Sequence, residues 1–596
     1  MFAFLPLKIF EVNLRWLEAG EMPFFHQPLV NAFMRHLLGS PENYEQCWAI
    51  HTPESGQLHY AAGDWYRFYC IALPCSSVGA PDSANSAFGY SSQAQLFDQL
   101  SKLPHGDFVH NMRGQFGGQF ELVSIRDALT QQSLASPEQA MPIDMDSIEH
   151  EAQQWYALQP KSLVLEFLSP IRLSTPKTRG KGEQGVVRHP QQFDPNMLFM
   201  RLVQAIQQLH NVQHDKERVN EWGKPERLPF CEQPDWQLEN PSERTQLFWA
   251  DCGYQSLKGE YKTLGGLCGS LCLTINAPLT LQQWQYLVAG QYLGIGLSRG
   301  LGFGRYRLLA YGNQEQAQST LLTFTRANSL YQQMIAGERI HSVWQDELRK
   351  LPEKQRYQWQ GEEAVTDLIH AIHQPDYAYR YQPQPLHPVL IDEDTPKPRM
   401  LLLPGFRDKV LQKSASLWLG ESLDNLYSYA SYGYRKGRSR LTVKDKIQQA
   451  WREGYRWVVD ADIRSFFQNV NTTQLLHKLK ALYGNDPIWE LIRAWLNTPI
   501  NRDKLPHGYE GFQLKGLPLG SAISPVLANL MLDDCLFLIG ADMEDHQLQL
   551  IRFVDDFIIL CKTKEQAEQL VLSELRRDTG YSVSLYSLKE KNLFFN

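Results

Sequence analysis

Phe553-Val554-Asp555-Asp556 lies between two apolar runs, Leu548 to Ile551 and Phe557 to Leu560. Two apolar runs separated by so short a gap read as a β-hairpin, and this one carries adjacent carboxylates at its tip. Upstream, apolar Trp457-Val458-Val459 leads into Asp460 and Asp462, then Ile463-Arg464-Ser465-Phe466-Phe467. Carboxylates delivered by two strand ends can hold two divalent cations. Such a pair activates an attacking hydroxyl and stabilises both the entering and the leaving oxygen of an in-line phosphoryl displacement. An acidic pair after a strand is more often a solvated turn, so Asp555 and Asp556 alone do not decide the matter.

The order of the neighbouring motifs does. Between the acidic sites lies Gly516-Leu517-Pro518-Leu519-Gly520-Ser521-Ala522-Ile523-Ser524-Pro525, followed by the helical apolar pattern Val526, Leu527, Leu530, Met531. Its glycines allow close backbone approach to a ligand, and Pro525 suits a helix start. Ahead of the first acids comes the basic, glycine-punctuated Ser431-Tyr432-Gly433-Tyr434-Arg435-Lys436-Gly437-Arg438-Ser439. The net charge is −7, yet Lys397 to Arg456 holds thirteen Lys or Arg against five Asp or Glu. So one-sided a run suits a phosphate backbone and predicts salt-sensitive binding.

With these four motifs in this order, the segment from Tyr381 to the end resembles the fingers and palm of a reverse transcriptase of the group II intron lineage, which includes those of CRISPR systems. The resemblance implies metal binding by Asp462, Asp555 and Asp556, with two Mg²⁺, or Mn²⁺ in their place. Asp460 is then structural. Phe467, five positions after Asp462, corresponds to the family's steric gate against a 2′-hydroxyl and implies a preference for deoxynucleotides. Arg399, in Lys397-Pro398-Arg399-Met400-Leu401, matches the basic residue that touches the incoming triphosphate, and Lys589 the late palm lysine. Arg435 and Arg438 would bind RNA. Two departures, Leu519 for the usual Gln and Phe553-Val554 for Tyr-Ala, remove no metal ligand. The sequence stops soon after the palm, so the resemblance implies a thumb beyond Asn596.

The chain has 596 residues, more than one core usually organises. No run approaches the roughly 20 apolar residues of a membrane span. The apolar start Met1 to Leu7 lacks a basic head and is broken by Pro6, a poor match to a signal peptide. Nine cysteines form no CxxC pair, and Cys268 and Cys272 read as core thiols. A reducing cytoplasm without structural zinc or membrane is the simplest setting.

In the N-terminal half, the run from Gly290 to Tyr306 carries six glycines with Arg299 and Arg305. A helix from Thr280 to Leu293 is expected before it and a strand from Tyr306 to Tyr311 after it. A loop of this kind can turn its amides toward a phosphate backbone, although tight turns use the same residues. Further upstream a strand is expected over Leu163 to Leu168, then a basic loop with Lys177, Arg179 and Lys181, then a helix over Asn196 to Leu209.

This order resembles the repeat-cleaving endoribonucleases of CRISPR systems, the Cas-six family, built from two ferredoxin-like domains. The resemblance implies RNA binding by Lys177, Arg179, Lys181, Gly296, Arg299, Gly300, Gly302, Gly304 and Arg305. It also implies metal-free cleavage in which the RNA's own 2′-hydroxyl attacks and a histidine transfers the proton. His26 and His36 are the candidates, ahead of His51; a lone histidine there is more often a packing residue.

The expected architecture is α+β and multidomain, with tandem ferredoxin-like (RRM-like) domains followed by reverse transcriptase fingers and palm. The expected limits are 1–155 and 156–315 for the ferredoxin-like domains, 316–380 for a helical linker and 381–596 for fingers and palm. The expected function is an RNA-directed DNA polymerase fused to a CRISPR-repeat endoribonuclease, serving crRNA maturation and spacer acquisition from RNA. Expected partners are CRISPR repeat RNA, a primed RNA template, dNTPs and a CRISPR integrase. Two alternatives stand beside it. One is a retroelement or defence reverse transcriptase with a noncatalytic RNA-binding half. The other is an inactive RNA scaffold for an integrase.

Overall fold

A computed structural model describes the chain except for residues 1, 3, 40–43, 75–92, 104–119, 175–185, 189–191, 214–227, 240–245, 252, 256–260, 312–315, 319–323, 393, 395–397, 464, 533–547, 571–580 and 588–596. It divides into two compact units: Met1–Asn328 with His477–Gly484, and Ser329–Leu476 with Asn485–Asn596.

The first unit opens with strand β1 (Lys8–Trp16), helix α1 (Gln27–Leu37), β2 (Trp48–His51), β3 (Trp65–Ala72), α2 (Gln93–Ser101) and β4 (Phe120–Asp127). These strands form one antiparallel sheet in the order β2-β3-β1-β4. That is a βαββαβ ferredoxin-like module. Its helix α1 buries Val30, Phe33, Met34 and Leu37, the i, i+3, i+4, i+7 spacing of an amphipathic face. Helix α3 (Met145–Leu158) follows, capped by the Asp144 side chain accepting from the Ser147 amide.

A second such module consists of β5 (Ser162–Ile171), α4 (Pro195–Gln213), β6 (Trp236–Leu238), β7 (Gln246–Ala250), β8 (Gly266–Ile275), α5 (Leu281–Leu293), β9 (Tyr306–Tyr311) and β10 (Gln316–Gln318). Its sheet runs β10-β9-β5-β8-β6, with β7 also on β8. Thr280 caps α5 in a reciprocal capping box with Gln283, and Trp155 stacks on Trp284 to hold α3 against α5. Cys268 and Cys272 are buried thiols, as expected.

In the second unit, helices α6 (Gly337–Lys350) and α7 (Glu362–Ile372) come from the stretch expected to link the halves. They belong to the same compact unit as the fingers hairpin β11 (His387–Ile391) with β12 (Arg399–Leu403), and the long helix α8 (Phe406–Asp424). Buried Glu347 of α6 pairs with Lys409 of α8 at 2.8 Å. Then come α9 (Arg440–Arg452), β13 (Trp457–Ile463), and the strands β14 (Gln549–Phe553), β15 (Asp556–Cys561) and β16 (Tyr581–Ser587). The palm sheet is ordered β14-β15-β13-β16. Val459, Ala461, Phe557, Ile559 and Cys561 line one face, while Val458, Ile551 and Leu560 on the other pack with Ile447 and Ala450 of α9.

Candidate active site

The face of β13 that begins with buried Val458 continues through Asp460 and Asp462, so the strand turns acidic toward its C-terminal end. In register, Val458 lies opposite Leu560, Asp460 opposite Ile558 and Asp462 opposite Asp556. Directly opposed residues share a face of the sheet, which places the carboxylates of Asp462 and Asp556 on one side. Phe553 pairs with Asp556 across a hairpin whose two turn residues are Val554 and Asp555. The Ile463 amide donates to the Asp555 carbonyl at 3.4 Å, tying this turn to the end of β13. Asp462 and Asp555 are half-buried and Asp556 is exposed. The three predicted acids therefore meet at one end of the palm sheet, and Asp460 lies one step back along the strand.

Among the described residues no three His, Cys, Asp or Glu side chains are already grouped to hold a metal. The donor chemistry nevertheless fits: like charges directly across an antiparallel pair repel, and an all-carboxylate set suits hard divalent cations.

The walls of this site are built by the other motifs. Phe467 is half-buried and its carbonyl accepts from the Leu517 amide at 2.7 Å. Gly516 has φ of 64°, and a Cβ there would lie 2.1 Å from the same carbonyl, so only glycine lets the loop approach. The Leu519 carbonyl accepts from the Leu402 amide of β12 at 2.6 Å, and Ser521 Oγ donates to Gln412 Oε1 of α8 at 2.8 Å. The 516–521 segment thus joins fingers to palm through its main chain; position 519 contributes its carbonyl, which leucine supplies as well as glutamine. Arg399 is exposed on β12 and paired with Asp392 at 2.8 Å.

The basic loop differs from expectation. Arg435 is buried, and its guanidinium donates to Asp424 Oδ1 at 2.7 Å and to the Ser428 and Ser431 carbonyls at 2.8 and 3.0 Å. It braces the loop and presents no free face to RNA. Arg438 is half-buried over Tyr432 and donates to the Tyr429 and Ser431 carbonyls. Lys436 and Arg440 are the exposed cations here. Lys589 lies outside the described residues.

In the first unit the glycine-rich segment also turns inward. Gly302 (φ 80°) and Gly304 (φ 75°) are buried, and a Cβ at Gly302 would lie 1.7 Å from the Ile50 carbonyl. The amides of Ile295, Leu297 and Gly304 donate to the carbonyls of Gly304, Arg172 and Pro170. The Arg305 amide donates to Ser169 Oγ, and its guanidinium is 1% exposed beside the Tyr292 carbonyl. Gly302, Gly304 and Arg305, expected on RNA, instead hold the loop to β5 and to the first module. Gly296, Arg299 and Gly300 remain half-buried at the surface. Lys177, Arg179 and Lys181 lie outside the described residues.

His26 is fully buried at the start of α1. Its Nε2 donates to the Gln57 carbonyl and its Nδ1 accepts from the Tyr66 hydroxyl, both at 3.1 Å. Burial, with the Arg326 charge, lowers its pKa to about 3. It is neutral and enclosed, a packing histidine in this conformation. His51 is likewise buried, 4.2 Å from the Phe324 ring, and held neutral by burial and Arg305. His36, on the last turn of α1, is exposed.

Two family models match the chain. "Reverse transcriptase (RNA-dependent DNA polymerase)" covers residues 391–585, and "CRISPR-associated endoribonuclease Cas6" covers residues 165–306. A solved structure, "Partial Cas6-RT-Cas1--Cas2 complex", superposes with a TM-score of 0.63 at 28% identity over 96% of this chain and 90% of that one. The chain is a Cas6–reverse transcriptase fusion. The fuller "Cas6-RT-Cas1--Cas2 complex" gives the same score and identity with 56% of its chain covered. Among curated relatives, protein YkfC of Escherichia coli (strain K12) is 25% identical over 224 residues, 32% of this chain and 58% of that protein. The group II intron-encoded protein LtrA of Lactococcus lactis subsp. cremoris is 27% identical over 175 residues, 29% of this chain and 28% of LtrA. No helix among the described residues is long and apolar enough to cross a membrane.

Proposed function

We propose that the second unit is an RNA-directed DNA polymerase and that the first processes CRISPR repeat RNA, so that one cytoplasmic protein serves crRNA maturation and the acquisition of spacers from RNA. The observation that carries the polymerase reading is Asp462 opposite Asp556 with Asp555 in the adjoining turn. Two bound Mg²⁺, or Mn²⁺, would lower the pKa of a primer 3′-hydroxyl and stabilise the oxygens of the transferred phosphate. Asp462, Asp555 and Asp556 are the residues that would hold those ions. Phe467, fixed through its carbonyl by Leu517, would be the wall against a 2′-hydroxyl, and exposed Arg399 would offer a cation to a triphosphate. Substrates are then a primed RNA template and dNTPs. The test is primer extension on RNA: Asp555→Asn should lose it, and extension retained in that variant would defeat the reading.

For the first unit, the two ferredoxin-like modules and the surface glycines Gly296 and Gly300 with Arg299 support repeat-RNA binding, and cleavage would need no metal. Of the predicted catalysts only His36 is exposed, which supports it as the group that would move a proton on RNA. Repeat RNA incubated with EDTA should yield ends bearing a cyclic phosphate, and His36→Ala should abolish them. The enclosure of His26 and His51 favours a second reading, RNA binding without cleavage, which uncut repeat RNA would establish. By likeness to the superposed complex, an integrase is the expected protein partner.

A further inference from the structure

Arg552 lies in β14, within the catalytic hairpin, and is 1% exposed. A buried guanidinium is costly unless its donors are satisfied. Nη2 donates to Ser431 Oγ at 2.7 Å, and Nη1 donates to Asn529 Oδ1 at 3.1 Å and to the Val554 carbonyl at 3.3 Å. These acceptors belong to the basic loop, the 524–532 helix after the glycine-proline segment, and the catalytic turn itself. The main chain repeats the connection. The Arg552 amide donates to the Ala430 carbonyl at 2.7 Å, and the Tyr432 amide donates to the Arg552 carbonyl at 2.8 Å. Asn529 Nδ2 donates to the Gly433 carbonyl at 2.8 Å, and a Cβ at Gly433 would lie 2.6 Å from Val554 Cγ2.

Val554 requires such a clamp. Its φ is 64°, left-handed backbone that a β-branched residue adopts at a cost of about 1–3 kcal/mol. Without restraint it would relax to negative φ, and the rotation would turn the next peptides and swing Asp555 and Asp556 away from Asp462. One side chain thus ties this strained turn to the basic loop and to the 524–532 helix.

We propose that Arg552 is the positioning residue of the carboxylate site: by holding the Val554 carbonyl together with Ser431 and Asn529, it keeps Asp555 and Asp556 in register with Asp462 for cation binding. At 1% exposed, with its guanidinium bonded to protein acceptors, it would act through the turn. This rests on the polymerase reading of the site, and the experiment separates the two.

Mn²⁺ binding, followed by loss of the free-ion EPR signal, and the Mg²⁺ midpoint of primer extension would be measured on the full chain, wild type against Arg552→Met, Arg552→Lys, Ser431→Ala, Asn529→Ala and Asp555→Asn. Groups that orient metal ligands typically cost about 10- to 100-fold in affinity or activity when removed. Arg552→Met should weaken Mn²⁺ binding and raise the Mg²⁺ midpoint within that range, with kcat falling more than KM rises. Arg552→Lys and the two alanine variants should shift both in the same direction by less. Thermal melting monitors the fold; should Arg552→Met melt early, Ser431→Ala and Asn529→Ala carry the comparison. Variants that melt lower but bind Mn²⁺ as wild type does would reduce Arg552 to a packing residue and overturn the proposal. A wild-type chain that binds Mn²⁺ through Asp555, loses that binding in Arg552→Met, and extends no primer would refute the polymerase reading while leaving the positioning role supported.

Discussion

The glycine-rich segment from Gly294 to Arg305 and the hairpin from Gln549 to Cys561 use similar parts: left-handed residues, close backbone contacts and a buried arginine. In the first, Gly302 and Gly304 fold inward and Arg305 is sealed beside the Tyr292 carbonyl, with its pKa drawn down to about 9 by burial. In the second, Arg552 is sealed as deeply, yet the residues after it emerge as half-buried Asp555 and exposed Asp556. One motif ends in architecture and the other in chemistry. Glycine can be buried at little electrostatic cost, and the two arginines are buried differently: the Arg552 guanidinium has three acceptors, whereas that of Arg305 lies over the Phe324 ring with Nε and Nη1 unpartnered among the described residues; adjacent carboxylates cannot be buried together without a cation, so they mark the surface that meets one.

Substitutions should break the two regions in different ways. Asp555→Asn should lower primer extension by about 1,000-fold or more, since a metal contributes several kcal/mol to the transition state; circular dichroism and melting should be those of wild type. Gly302→Val should do the reverse, destabilising the first unit by about 3 kcal/mol through collision with the Ile50 carbonyl. Differential scanning calorimetry should then show one transition lowered while primer extension persists.

Finer comparisons follow on each side. Phe467→Ala should reduce the preference for dNTPs over rNTPs by about 10- to 100-fold, read from single-nucleotide incorporation, as expected for an apolar wall bearing on one hydroxyl. For His26 the folded pKa, about 3, lies below the ordinary 6.5. Between those values the unfolded chain binds the extra proton, so the first unit should lose stability as pH falls below 6.5, by at most about 1.4 kcal/mol per pH unit. His26→Gln should flatten that dependence in urea melts at pH 5 and 7. The smallest effect belongs to Arg399→Ala on the exposed fingers strand. It should raise the KM for dNTPs a few-fold, the worth of a solvent-exposed cation of about 1 kcal/mol, and the difference should shrink with added salt.

Much of the palm was legible because strand periodicity is local. The apolar runs around Val458 and Ile559 predicted β13, β14 and β15, and the acids at their ends followed. The helix expected over Thr280 to Leu293 is found at Leu281–Leu293, with Thr280 as its cap. Burial of polar groups was not legible, because tertiary contacts set it. Arg435 and Arg305 looked like RNA contacts, yet the first is neutralised by Asp424, eleven residues earlier, and the second is enclosed by packing. His26 had the right place for a catalyst, but the Gln57 carbonyl and Tyr66 hydroxyl that enclose it come from distant strands and turns. Arg552 was missed although a signal existed: a lone charge inside an apolar strand run, next to the acidic turn, calls for buried partners.

Whether Asp462, Asp555 and Asp556 act together is measured most directly by synthesis of DNA complementary to a defined RNA template, primed, with dNTPs and Mg²⁺, by the wild-type chain and by Asp462→Asn and Asp555→Asn. Template-complementary DNA is expected from the wild type, abolished by EDTA and by either substitution. Equal product from wild type and both variants would contradict that expectation.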